Sequence, residues 1–156
     1  MTRGRLVAGP LLYRRNLARL PLVAGPLLVR AELTGIPFLD YQLQVGPDIL
    51  SAIYLITDLQ ERVVWLGQAS RVGGLLARLA QHERFAVRRR TFARLRYLHL
   101  HDHIAHAALD AIEGRCCDIL GLRGTMGSRR WPSARGWPED IAVPPQPAEP
   151  PPAVAS

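Results

Sequence analysis

Proline decides how much of this chain can build a core. Eight of its 13 prolines fall in the last 25 residues, at positions 132, 138, 144, 145, 147, 150, 151 and 152. Each removes a backbone donor and fixes φ, so a run this dense sustains neither helix nor sheet. Residues 132–156 are expected to be a disordered, Pro-rich tail. What remains of the 156 residues suits a single domain, and a domain of that size folds without disulfide or metal staples.

The first 48 residues are interrupted too, by Gly9-Pro10 and Gly25-Pro26. Leu6-Val7-Ala8-Gly9-Pro10-Leu11-Leu12 recurs as Leu22-Val23-Ala24-Gly25-Pro26-Leu27-Leu28, sixteen residues later. Two short copies do not make a solenoid. Six arginines precede the first acid, Glu32. That composition resembles a targeting peptide, but Arg14, Arg15 and Arg19 break the apolar core a secretory signal needs. Residues 1–48 are expected to be a basic, partly ordered extension, with one short strand near 38–45.

Residues 49–131 carry the folding pattern. Residues 49–57 are apolar and rich in β-branched and aromatic types, which predicts a strand. A polar turn, Asp58-Leu59-Gln60-Glu61, leads to a second apolar run over 63–67. Two such runs read as a β-hairpin, apolar on both faces and therefore central. Leu75, Leu76, Leu79 and Ala80 recur at helical spacing after Gly73-Gly74. Arg88 to Arg90 reads as a basic turn, and residues 92–101 as a third strand. Asp102 is a good N-cap for an amphipathic helix with Ile104, Ala107, Ala108, Ala111, Ile112, Cys116 and Ile119 on one stripe. Gly121 and Gly124 end it. The order β-β-α-β-α predicts an α/β (α+β) fold, a three-stranded antiparallel sheet flanked by helices.

All 20 basic residues are arginine, against 13 acids, for a net charge of +7. A lysine-free chain rich in Arg, Ala, Gly and Pro fits GC-rich codons, as in a high-GC bacterium. The net charge is a physical property in its own right and attracts polyanions, nucleic acid first among them. Arg84, Arg88, Arg89, Arg90, Arg94 and Arg96, beside Phe85 and Phe92, form a basic run that either contacts phosphate or is a solvated turn. Arg71, Arg129 and Arg130 are further candidates. The expected partner is DNA, held mainly by its phosphate backbone. The longest uncharged apolar stretch, residues 20–29, is too short to span a membrane. The adjacent Cys116 and Cys117 do not form a disulfide framework and fit a reducing, cytoplasmic setting.

The order of Ala52-Ile53-Tyr54 on the first strand and Trp65-Leu66-Gly67 on the second is distinctive. Arg78 and His82 follow on the next helix, Glu113 on the last, and a basic end at Arg129-Arg130-Trp131. This resembles the GIY-YIG nuclease superfamily over residues 50–131. The resemblance implies a metal-dependent endonuclease that hydrolyses DNA phosphodiester bonds with one divalent ion, Mg²⁺ or Mn²⁺. It implies Tyr54 near the attacking water or acting as its base, Arg78 on the scissile phosphate and Glu113 holding the metal. His82 is open to phosphate contact or proton transfer, as is His101. Such chemistry needs positioning and stabilisation of spreading negative charge, which a guanidinium and a metal-bound carboxylate supply.

The pattern departs from the family at several points. Ala52 replaces the opening glycine. Trp65 replaces the second tyrosine, and an indole cannot accept or relay a proton. Gln68 stands where many members are basic, and Thr125 where an asparagine is common. The interval from Trp65 to Arg78 is long, so Arg71 competes for the arginine role. These losses leave a second expectation: a catalytically degenerate nucleic-acid-binding module on the same fold. Each residue also has a plain reading: Tyr54 as core, Arg78 as a solvated helix arginine, Glu113 as part of a wet face shared with His106 and Asp110. His99, His101, His103 and His106 match no zinc spacing.

Overall fold

The computed structural model describes residues 6–70 and 72–134. Residues 1–5, Arg71 and, of the tail expected over 132–156, residues 135–156 lie outside the described residues; Pro132 O accepts from Arg123 at 2.6 Å. One antiparallel sheet runs in the order β1-β4-β2-β3, formed by Leu28–Pro37 (β1), Ser51–Thr57 (β2), Val63–Ala69 (β3) and Arg94–Leu100 (β4). Helices α1 (Arg14–Ala24) and α5 (His106–Leu120) cover one face; α2 (Tyr41–Gln44) and α3 (Gly74–Glu83) cover the other, with α4 (Ala86–Thr91) packed on α3.

Alternation along β2 sets the two layers. Ile53 and Leu55 point toward α1 and α5, where they meet Leu20, Ala24, Leu109, Ile112 and Cys116. Ala52, Tyr54 and Ile56 point toward α3 and meet Leu75 and Leu79. Every β2 residue is buried, as a strand covered on both faces requires. The hairpin forms as expected, but only β2 is central. β3 lies at the sheet edge, where Gly9 and Val63 exchange backbone bonds with their neighbours (Gly9 N–H to Val63 O at 2.7 Å, Val63 N–H to Pro10 O at 2.9 Å). That cover is one way to blunt an edge strand.

The sheet has four strands, not three. The extra strand is β1, which pairs only with β4 and carries two register shifts. An edge strand tolerates Arg30, Glu32, Thr34 and Pro37, and those residues hide it from a periodicity reading. The strand expected near 38–45 is instead a 3₁₀ turn, Phe38–Asp40, running into α2. The N-terminal segment also holds α1, with Pro21 in its last turns. The packing of Leu20 and Ala24 against the α5 side of the core accompanies that helix despite the proline. Arg88 to Arg90 lie in α4, not in a turn. Asp102 does not cap α5, which starts at His106 after Ala105; residues 101–104 form a turn first. Gly121 does end α5, in the left-handed conformation at φ 69° that glycine adopts without strain. Cys116 and Cys117 are buried free thiols on α5, and burial pushes both their pKa values up. Among the described residues no helix is long and apolar enough to cross a membrane.

Candidate active site

Tyr54 on β2 pairs across the hairpin with Gly67 on β3. Its hydroxyl lies over that glycine. A Cβ at position 67 would come 2.9 Å from Tyr54 Oη and 3.0 Å from Trp65 Nε1. The glycine of Trp65-Leu66-Gly67 is therefore needed for clearance. His82, on the inner face of α3, brings Nε2 to 2.6 Å from Tyr54 Oη. On the far side of the same imidazole, Arg88 Nη1 of α4 stands 3.0 Å from Nδ1.

These groups are electrostatically linked. Burial pushes the His82 pKa down to about 3, and the charges of Arg88, Arg78 and Arg129 push the same way. His82 is therefore neutral in ordinary buffers. Burial raises the Tyr54 pKa; the charge and hydrogen bond of Arg78, the Trp65 indole N–H and the charge of Arg129 oppose that rise. Tyr54 holds its proton at neutral pH, but each of these other groups favours the phenolate.

Trp65 is half-buried and organises the cations. The guanidinium carbon of Arg129 lies 3.6 Å from its ring centre and that of Arg88 lies 4.4 Å away. Arg129 also donates to Leu66 O at 2.9 Å, and Trp131 Nε1 donates to the same oxygen at 3.0 Å. The basic end of the domain thus closes over the outer edge of β3.

One residue further along β3 the alternation turns Gln68 toward α5. Its Nε2 donates to Asp110 Oδ1 at 2.8 Å and Glu113 Oε1 at 2.6 Å. Glu113 is only 6% exposed. Burial raises its pKa, and Asp110 adds to the rise; the Gln68 bond and the charges of Arg129 and Arg78 lower it. So the charges of Arg78 and Arg129 reach both Tyr54 and Glu113, although α3 and α5 lie on opposite faces of the sheet. They meet around the end of β3. Gln68, Ser70, Arg78, Gln81 and His106 line a groove of about 340 Å³ there.

Asp110 and Glu113, at i and i+3, are the residues that could hold a metal. Two carboxylates brought to one amide offer hard oxygen donors of the kind that Mg²⁺ or Mn²⁺ takes. Among the described residues no three His, Cys, Asp or Glu side chains converge on one point. His99 is buried on β4, His101 and His103 are exposed, and His106 pairs with Asp110 at 3.5 Å.

The basic candidates do not form one surface. Arg88 is clamped between Trp65 and Phe85, 4.2 Å from the latter. Arg89 donates to Glu83 O at 2.7 Å. Arg94 pairs with Glu61 at 3.3 Å, and Arg96 is buried, bonded to Leu33 O, Thr57 and the same Glu61. Arg84, Arg90 and Arg130 are exposed. Arg71 lies outside the described residues. Thr125 caps its own loop, with its hydroxyl on Leu122 O at 2.7 Å. The sequence reading missed what Arg129 and Gln68 touch. Strand alternation at 66 and 68 was the available signal for Gln68; nothing local signals Arg129. No family model, curated protein or solved structure matches this chain.

Proposed function

We propose that the chain is a metal-dependent DNA endonuclease of the GIY-YIG kind. One observation carries the reading: Arg78, exposed on α3, lines the groove at the end of β3 together with Gln68, whose amide donates to Asp110 and Glu113. Gln68 of β3, Arg78 of α3 and His106 of α5 line that groove.

The division of work follows from the donors present. Arg78 is exposed at the groove and binds the scissile phosphate, offsetting the charge that builds on its oxygens. Tyr54 sits among N–H donors that favour its phenolate; in that form, with its own proton passed to solvent, it accepts the proton of the attacking water. Asp110 and Glu113 would hold Mg²⁺ or Mn²⁺, which when bound supplies Lewis-acid stabilisation of the phosphate. Trp65 holds Arg129 and Arg88 beside the site and directs its N–H toward Tyr54, a donor's part rather than a relay's. Binding is mainly to the phosphate backbone and weakens steeply with salt.

Cleavage of labelled duplex and branched DNA tests this, with Mg²⁺, Mn²⁺ or chelator, in the native chain and in Glu113→Ala. Metal-dependent cutting that the substitution abolishes is the expected result. The second reading is a degenerate DNA-binding module, favoured by the missing hydroxyl at Trp65. Salt-sensitive binding in the same gel without cutting at any metal concentration would select it.

A further inference from the structure

We infer that Arg88 is a positioning residue that pins the proton of His82 on Nε2, so that the imidazole donates to the Tyr54 oxygen rather than accepting from it. The use of that bond in turnover rests on the endonuclease reading; the placement of the proton does not.

The argument begins with what each group can do. A guanidinium has N–H donors and no acceptor. With Arg88 Nη1 3.0 Å from His82 Nδ1, that nitrogen must accept. A neutral imidazole carries one proton, so it resides on Nε2. Nε2 lies 2.6 Å from Tyr54 Oη, and the bond therefore runs from histidine to tyrosine. Reversing it would put a proton on Nδ1, facing the arginine donor.

The surroundings hold both partners in place. Arg88 lies between the rings of Phe85 and Trp65, at 4.2 and 4.4 Å. His82 is 3% exposed and boxed by Trp65, Phe92 and Tyr54, with ring centres 4.5, 5.4 and 5.6 Å away. A ring flip would exchange the two nitrogens, and this box opposes it. The charged groups bearing on His82 are Arg88, Arg78 and Arg129, all cations.

The consequence falls on Tyr54. Its oxygen receives the His82 N–H, and the Arg78 and Trp65 groups that bear on it are donors as well. Its own proton is therefore not committed to His82. Without Arg88, His82 can switch tautomer and accept that proton, fixing Tyr54 in the wrong state. Arg88 thus changes from a candidate phosphate contact to a residue acting through His82.

The test is ¹⁵N NMR of imidazole-labelled full-length chain at neutral pH. The native His82 should show a pyridine-type Nδ1 and a pyrrole-type Nε2. Arg88→Met keeps an apolar stem between the two rings and removes the donor; it should populate the opposite tautomer. Arg88→Lys, a donor without a guanidinium plane, should restore the native pattern at least in part. A pyrrole-type Nδ1 in the native chain, or an unchanged pattern in Arg88→Met, overturns the proposal. In cleavage assays Arg88→Met should lower kcat about ten- to a hundredfold, with KM for DNA and its salt dependence unchanged. A rise in KM with native kcat would instead make Arg88 a phosphate contact and sink the positioning role. If the native chain cuts no DNA while the tautomers behave as stated, the endonuclease reading fails and the placement of the proton stands.

Discussion

On one side of β3, Trp65 and Gly67 face a cluster whose polar groups around the Tyr54 oxygen are N–H donors and cations: His82, Arg78 and Arg129. On the other side, Gln68 faces two carboxylates, Asp110 and Glu113. A two-residue alternation along one short strand therefore separates a cationic half-site from an anionic one. A pentacovalent phosphate needs both: cations and donors for its oxygens, and carboxylates for a metal. Arg78, exposed at the strand end, and Arg129, stacked on Trp65, bear electrostatically on both halves. Burial alone pushes the base His82 down and the acid Glu113 up, and the like charges nearby, cations at His82 and Asp110 at Glu113, add to each shift.

Breaking either half should stop turnover, by different routes. Tyr54→Phe removes the proton acceptor and keeps the ring, so cutting should fall about a thousandfold with DNA binding and fold intact. Glu113→Ala should reduce cutting to the level seen with chelator, while Tyr54→Phe stays metal-responsive in any residual activity. Identical residual behaviour in the two variants would remove the distinction between the halves. Arg78→Ala comes next, with about a hundredfold loss, expressed in kcat more than in binding because the side chain acts on developing charge. A loss confined to affinity would reduce Arg78 to a backbone contact.

Gly67→Ala tests the strand that divides them. The new Cβ would press on Tyr54 Oη and Trp65 Nε1 at about 3 Å. The Tyr54 hydroxyl, fully buried, has no room to retreat, so unfolding in urea should show a loss of about 1–3 kcal/mol. Restoring stability with a small shift of the Trp65 fluorescence, and no loss, would mean the hydroxyl is not held over that glycine.

The parts of this arrangement that could be read from sequence are those with a strong local period. Residues 49–57 and 63–67 announced a hairpin because their apolar residues run continuously, and the α5 stripe placed Glu113 beside Asp110. The strand β1 was silent because an edge strand with one partner can carry Arg30, Glu32 and Pro37. Helix α1 was silent because Pro21 and the flanking Gly-Pro pairs argue against a helix that tertiary packing of Leu20 and Ala24 nonetheless accommodates. The repeated Leu-Val-Ala-Gly-Pro-Leu-Leu shows the same point. Its first copy crosses the β3 edge without regular structure; its second ends α1, turns through Gly25–Leu27 and opens β1. In the candidate site, Tyr54, Arg78, His82 and Glu113 were legible through a motif order. Arg88 and Arg129 were legible only as charge, because stacking on Trp65 depends on elements distant in sequence.

The smallest effect, and the one that sharpens the comparison most, is the pH dependence of stability. His82 titrates near 6.5 when unfolded and about 3 when folded. The unfolded chain therefore binds the proton more readily, and the contribution of His82, complete above 6.5, is lost as pH falls toward 3. At pH 5.5 this amounts to about 1 kcal/mol. Glu113 has the opposite sign. Its folded pKa is raised, so its contribution is present below its unfolded value of 4.5 and is lost as pH rises through the folded one. His82→Asn should flatten the decline between pH 7 and 5.5 in urea midpoints. Glu113→Gln should raise the midpoint at pH 7 and lose that advantage near pH 4. Parallel pH curves for the two variants would mean that burial acts on both halves alike, and the division of the site along β3 would not hold.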